Sequence, residues 1–258
     1  MKKFLPVLSI VIASFSTLLL SGCEKEDPDA IKMEDVNKGI QIKIGADGKE
    51  YQVVDLGLTS GNLWAVCNVG ATSPEQTGMR FSWGEVETKT YYSWRNYRWA
   101  QGDNLSITKY NNDKDRGTVD NKLKLDLADE APAAIMGEDW RIPTSMDFNE
   151  LLKPINCTKK WCKLNGVGGY LFTGVRKGYE GNSIFIPLSG MLDDTVLRFE
   201  GQYGWYWSNE IYHDSPNNKD VVTDADAFLL QHTDVDNHYM DKRPRNVGLP
   251  IRPIYIGE

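Results

Sequence analysis

The chain has 258 residues, of which 41% are hydrophobic and 25% charged, the balance of an ordinary globular protein with enough apolar surface for a sizeable core. Its 29 basic and 36 acidic residues give a net charge of −7, which excludes the concentrated positive field that a nucleic-acid partner requires. The 8 Trp, 12 Tyr and 8 Phe point to an aromatic-rich interior.

Lys2 and Lys3 open the chain, and an apolar stretch from Phe4 to Leu20 follows, broken by Pro6 and several polar residues. It ends in Leu20-Ser21-Gly22-Cys23, which resembles the lipobox of bacterial lipoproteins. The resemblance implies cleavage before Cys23, acylation of its thiol, and attachment to a membrane through that lipid. Each buried methylene contributes about 0.8 kcal/mol, so two or three acyl chains hold a protein stably. The competing reading, a transmembrane anchor, is disfavoured because the run is short of the roughly 20 residues that span a bilayer. Glu24-Lys25-Glu26-Asp27 resembles the surface-export signal of lipoproteins in the Bacteroidota, which implies an outer-membrane protein facing outward; a plain charged tether is the alternative. Residues 1–22 are thus expected as a signal peptide, 23–39 as the lipidated Cys23 with a flexible, solvated tether, and 40–258 as a single folded domain.

Short strands dominate the expected domain. Ile40, Ile42 and Ile44 alternate with Gln41 and Lys43, Ala46-Asp47-Gly48 turns, and Tyr51 to Leu56 returns, which predicts a hairpin. Further strand segments are expected at 63–66, 80–83, 169–175, 183–187, 204–208, 225–230 and 247–254, with Gly, Asn and Asp in many gaps. Tyr91 to Trp99 interleaves five aromatics with Arg95 and Arg98; stacking on bases or sugars is conceivable for such a pattern, but core packing is the expectation in an acidic chain. A short helix is expected within 126–136, with Pro132 tolerable only in its first turn. A better one starts after Thr144, an N-cap whose capping-box partner is Asp147; Phe148, Leu151 and Leu152 share its apolar face and Pro154 ends it.

Read together, Val54 to Leu58 (VDLGL), Leu63 to Ala71 (LWAVCNVGA), Phe81 to Glu85 (FSWGE), Ile107 to Asn111 (ITKYN) and Gly117 to Lys122 (GTVDNK) form an ordered set. Trp140 to Thr144 (WRIPT), Glu150 to Leu152, Asn165 to Tyr170 (NGVGGY), Gly181 to Pro187 (GNSIFIP), Gly204 to Ser208 (GWYWS) and Gly248 to Pro253 (GLPIRP) continue it. The set resembles the Fibrobacter succinogenes major paralogous domain, a family of secreted and lipid-anchored bacterial proteins. That implies an α+β fold of C-type-lectin-like form: twisted antiparallel sheet, one or two short helices and long loops. WRIPT also resembles the sulfatase-modifying formylglycine-generating enzymes, implying that Arg141 and Pro143 fix the entry to a helix. The chain departs from the family at Leu249-Pro250 and in a longer segment at 210–224.

Oxidase chemistry of the formylglycine type is excluded, since no cysteine follows Cys162. Trp207-Ser208-Asn209-Glu210 is a partial echo of a calcium-dependent lectin motif without the preceding loop. Asp224, Asp226, Asp234, Asp236 and Asp241 read as solvated acids rather than a calcium site, and His213, His232 and His238 lack metal spacing. No metal, cofactor or catalytic group is expected. With Cys23 lipidated, Cys67 and Cys157 are the preferred disulfide because both lie in or beside family-like stretches; Cys157 with Cys162 is the local alternative. The expected function is a surface-exposed, adhesin-like binding protein for a glycan or protein ligand, with Trp205, Tyr206, His238, Tyr239, Asp241 and Arg243 as candidate contacts. An extracellular polysaccharide-cleaving enzyme and a structural subunit of a surface assembly are the competing expectations.

Overall fold

The computed structural model describes residues 27–36, 38–214, 217, 219–232 and 238–257. The expected signal peptide, Cys23 and the charged run through Glu26 lie outside them, as do Asp234 and Asp236. In chain order the described residues form β1 (Ala30–Ile31), a helical turn α1 (Met33–Val36), β2 (Ile40–Ile44), β3 (Glu50–Val54), β4 (Leu63–Ala65) and β5 (Arg80–Phe81). A long region of loops and 3₁₀ turns leads to α2 (Ala131–Met136), β6 (Trp140–Arg141) and α3 (Ser145–Leu152). Then come β7 (Cys157–Leu164), β8 (Val167–Gly174), β9 (Ser183–Pro187), β10 (Met191–Asp193), β11 (Val196–Arg198), β12 (Tyr203–Asp214), β13 (Lys219–Gln231), β14 (His238–Pro244), β15 (Leu249–Pro250) and β16 (Ile254–Tyr255).

The strands assemble into sheets ordered β2-β3-β4-β16-β6, β1-β7-β8-β9 and β12-β13-β14, with two-stranded ladders β15-β5 and β10-β11. Every one of these pairings but β1 on β7 is antiparallel, so the class is α+β with short helices and long loops, as expected. The chain's end closes the molecule: β16 lies between β4 and β6, tying the first hairpin to the Trp140–Arg141 strand.

Local chemistry explains the elements that the sequence foretold. Gly48 turns the β2–β3 hairpin at φ +78°, a conformation easy only for glycine. Pro132 sits in the first turn of α2, where its missing N–H costs no helical hydrogen bond. At α3 the Thr144 hydroxyl accepts from the Asp147 N–H at 3.1 Å, and the Asp147 carboxylate accepts from the Thr144 N–H at 2.7 Å. Arg141 adds a 2.8 Å ion pair to the same carboxylate, which fixes the approach to the helix from β6.

The β12–β13–β14 sheet is the middle of the structure because both its faces are packed. On one face Trp205, Trp207, Ala225, Ala227 and Leu229 join a core with Trp83, Tyr110, Trp140 and Leu249. On the other Tyr206, Phe228 and Leu230 join Phe148, Leu151, Phe172 and Ile186 beneath α3. Strands covered on both sides lose the alternation of polar and apolar residues, which is why Gly204 to Ser208 reads as one apolar run. Of the 91–99 aromatics, Tyr92 and Tyr97 are buried as expected, their hydroxyls donating to the carbonyls of Arg80 (2.6 Å) and Trp83 (2.7 Å), while Trp94 and Trp99 are half-buried and Tyr91 is exposed.

Two arginines are fully buried among neutral oxygens. Arg252 donates to Asn68 Oδ1 (2.8 Å), to the carbonyls of Ala65 (3.1 Å) and Phe185 (3.0 Å), and to that of Val66, joining β4 to β9. Arg245 donates to Tyr97 Oη (2.9 Å) and to the carbonyls of Tyr110 (3.1 Å), Val222 (2.8 Å) and Lys109 (3.0 Å), while its guanidinium lies over Trp83.

Residues 27–36 correct the expected tether. Ala30 and Ile31 pair with Lys163 and Leu164, Lys163 binds the Asp27 carboxylate at 2.7 Å, and Val36 is buried against Cys162, Leu164 and Phe185. Ile31, Met33 and Val36 carry this docking; the surrounding polar composition conceals three apolar residues that share one small core.

Candidate functional site

The register of β12–β14 sorts the expected contact residues onto two faces. Trp205 lies opposite Leu229, and Leu229 opposite Tyr239; Ala227 lies opposite Asp241, and Ala225 opposite Arg243. Trp205, Tyr239, Asp241 and Arg243 therefore share one face. Tyr206 and His238 fall on the other face by the same alternation and do not belong to the site. Tyr206 is buried, its hydroxyl donating to the Pro187 carbonyl at 2.7 Å with Ser189 Oγ at 2.9 Å, and burial pushes its pKa up. His238 packs its ring edge-on against Tyr170 at 4.3 Å.

On the shared face the small side chains of Ala225 and Ala227 leave room for Trp205 to lean across β13. Its indole N–H reaches Asp241 Oδ2 at 3.2 Å. The same oxygen accepts an ion pair from Arg243 at 2.9 Å, and the Lys242 N–H occupies Asp241 Oδ1 at 2.8 Å. Arg243 is thereby held flat over the indole, its guanidinium carbon 4.1 Å from the ring centroid. Partial burial draws the Arg243 pKa down, and the adjacent Asp241 charge opposes that drift.

The sequence reading missed two residues of this surface, Tyr203 and Phe199. Tyr203 stacks on Trp205 with centroids 5.1 Å apart and planes at 12°, and Phe199 meets both rings edge-on at 5.6 and 5.9 Å. Tyr203 was recoverable: extending the 204–208 strand back by one residue puts 203, 205 and 207 on one face. Phe199 was not, since it sits outside any strand with φ +60°, in the left-handed region. The result is a ladder of Tyr203, Trp205 and Arg243, edged by Phe199 at one end and by Tyr239 on β14. Phe199 and Tyr239 are each 45% exposed. Trp205 itself is buried, covered by Tyr203 and Arg243, so the ring faces open to a ligand are those of Phe199 and Tyr239, with Asp241 spent on positioning and not on a ligand.

The thiols correct a second expectation. Cys67, Cys157 and Cys162 are all free, so the Cys67–Cys157 pair is not formed. The local alternative fails on geometry: five residues apart on β7, Cys157 and Cys162 point to opposite faces and sit in different core clusters. Burial pushes Cys157 up to about 12 and Cys162 up to about 11, and raises Cys67 as well, leaving them as packing residues rather than nucleophiles.

A polar corner surrounds the start of α3. The Ser145 N–H donates to Glu210 Oε2 (2.9 Å) and its hydroxyl to Asp226 Oδ2 (2.6 Å). Glu130 accepts from the Ile142 N–H (2.5 Å) and from Asn209 Nδ2 (3.1 Å). Burial pushes Glu130 up to about 7 and Asp226 up to about 6, while the Lys124 partner helps hold Glu210 below its ordinary value. The corner's carboxylates are thus committed to the N-terminus of α3 and the loop before it. Of the histidines, His213 bonds Asp220 at 2.8 Å and His232 stacks on Trp161 at 3.7 Å. Among the described residues no group of three or more His, Cys, Asp or Glu side chains is placed to hold a metal ion.

Concavities lie elsewhere, two of them partly apolar. One of about 340 Å³ opens beside the β2–β3 hairpin, lined by Tyr51, Gln52, Cys67, Val69, Thr72 and Met136. A shallower groove of about 760 Å³ follows the outer side of α3 past Met146, Leu152 and Pro154. No protein family model, no curated protein and no solved structure matches the chain.

Proposed function

We propose that this chain is a lipid-anchored, surface-exposed bacterial protein whose folded domain is an adhesin-like binding module of the paralogous-domain type. The anchor rests on the Leu20-Ser21-Gly22-Cys23 motif, and the binding role rests on the margin of β12–β14 where Phe199 and Tyr239 stay exposed. The single observation that supports it best is the Tyr203–Trp205–Arg243 ladder with Phe199 and Tyr239 left half-exposed on either side. Trp205 belongs to the core, whereas the exposed Phe199 and Tyr239 beside a pinned arginine are the kind of groups that dominate recognition energetics. A polysaccharide-cleaving activity is the weaker reading. The carboxylates whose pKa is raised, Glu130 and Asp226, are spent on Ile142, Asn209 and Ser145, and neither lines the concavities described above.

The test is a glycan and protein array probed with the mature chain carrying Cys23→Ser, with and without chelator. The same array is then probed with Tyr239→Ala and Arg243→Ala. Binding that survives both substitutions unchanged would show that this face is not the site. Labelled palmitate incorporated by the wild type and lost in Cys23→Ser tests the anchor independently.

A further inference from the structure

The segment that leads into the aromatic ladder carries a feature that the ladder alone does not explain. β10 and β11 form a hairpin turned at Asp194 (φ +54°), with Leu192 opposite Leu197 and Asp193 opposite Val196. The Leu192 N–H donates to the Gly248 carbonyl at 2.9 Å, and the Leu192 carbonyl accepts from the Gly248 N–H at 2.8 Å. Leu192 therefore turns its backbone groups away from β11. In an antiparallel ladder its partner Leu197 must turn its own N–H and C=O the other way, to the outer side of β11. Among the described residues no backbone group meets them there.

The side chains along this edge are exposed as well. Residues 194–202 all lie at the surface, and Val196, Leu197 and Phe199 are 48%, 41% and 45% exposed. The edge is short, three residues, and it carries neither Pro, Lys nor a bulge to keep another strand away. Its one charge, Arg198, is turned inward to its own hairpin by a 2.9 Å pair with Asp193. The hairpin is nonetheless built firmly: at Gly190, φ +61°, a Cβ would stand 2.3 Å from the Arg198 carbonyl, so only glycine lets the arm close at its base. Phe199 leaves β11 in a left-handed conformation that a bulky side chain adopts only at a cost, and the result is an exposed ring abutting Tyr203 and Trp205.

We propose that the outer edge of β11 takes up an extended segment of a partner protein as an added strand. The inference rests on the binding-module reading and assigns its ligand class: polypeptide, not glycan. A strand added here exchanges two hydrogen bonds with Leu197 and covers Val196, Leu197 and Phe199 with alternate side chains of its own. β11 gives way at Phe199 to a turn in which the Gln202 and Tyr203 N–H groups donate to the Phe199 carbonyl, so a partner strand paired with β11 meets the exposed Phe199 ring at its end. An unpaired N–H and C=O on one edge select an extended backbone; a sugar ring would use the aromatic faces and leave the edge unused.

The experiment screens the mature Cys23→Ser chain against a phage-displayed library of random linear peptides and measures the enriched peptides in solution. Leu197→Pro deletes the edge N–H and is expected to weaken them about tenfold or more. Leu197→Thr keeps the N–H and the strand preference and is expected to bind within a few-fold of wild type, and matching near-ultraviolet circular dichroism of all three shows that the fold is kept. Enrichment of no peptide, or peptides whose affinity is indifferent to Leu197→Pro, overturns strand addition. If those indifferent peptides, or glycans on the array, instead respond to Arg243→Ala, the module reading stands and only the edge assignment falls.

Discussion

The corner around α3 and the β10–β11 arm are built on opposite principles. At the corner the capping and charged groups hold one another: Thr144 and Asp147 cap each other, Arg141 holds Asp147, and Glu210 and Asp226 hold Ser145. On the arm a backbone donor and acceptor and three apolar side chains face outward. The first region maximises stability and leaves nothing over for a ligand. The second spends stability, through a strained Phe199, on what it presents. The difference separates residues that hold the fold from residues that stand ready to meet something else.

Five substitutions sharpen that contrast, and the largest effect belongs to the core. Arg252→Met removes donors from three carbonyls and an amide oxygen that have no water to turn to, and a loss of about 3–5 kcal/mol is expected in urea unfolding. Retention of stability within about 1 kcal/mol would mean that the two sheets hold together without the staple. Arg245→Met is expected to behave alike, loosening the 94–111 loops from β13.

The next effect depends on pH. Glu130 is pushed up from 4.5 to about 7, so the folded state favours its protonated form. Its contribution is fully present below the unfolded pKa near 4.5 and is lost as pH rises through about 7. The amplitude is on the order of 3 kcal/mol. Asp226, raised to about 6, adds a slope of the same sign at lower pH. Glu130→Gln is expected to flatten the profile between pH 4.5 and 7 while lowering stability at acid pH, since an amide N–H would face the Ile142 or Asn209 donor. Unfolding curves at several pH values decide this; an unchanged slope in the variant would place the titration elsewhere.

A smaller loss, about 1 kcal/mol, is expected for Thr144→Ala, which breaks one half of the capping box. This piece of the corner was fully legible in the sequence. A Thr followed three residues later by an acid, an apolar face at 148, 151 and 152, and Pro154 beyond are local signals, and local signals survive without tertiary context. The β2–β3 hairpin and the 183–187 strand were legible for the same reason. What escaped depended on distant partners. Arg245 and Arg252 look like surface charges until the carbonyls that surround them are assembled. Tyr206 and Trp205 alternate to opposite faces, but only the register through β13 shows that Trp205 is the one facing Asp241 and Arg243. The Cys67–Cys157 expectation failed similarly: membership in neighbouring motifs says nothing about the meeting of two Cβ atoms. Even so, four of the six expected contact residues share a face, because strand alternation at 239, 241 and 243 is a local property.

The smallest effect on stability is the one that tests the arm. Phe199→Asn replaces a bulky ring by a side chain that tolerates the left-handed conformation, and it removes little buried surface. Unfolding free energy is therefore expected to stay within about 0.5 kcal/mol of wild type or to rise slightly. At the corner and in the core a substitution of comparable size is costly, so neutrality here would show that selection has not kept Phe199 for the fold. A loss of 2 kcal/mol or about that would place Phe199 among the supports of Tyr203 and Trp205, and the strain at its backbone would then serve packing, not presentation. Because the two outcomes differ severalfold in size, a single pair of unfolding curves separates a residue that holds the sheet from one that the sheet holds out.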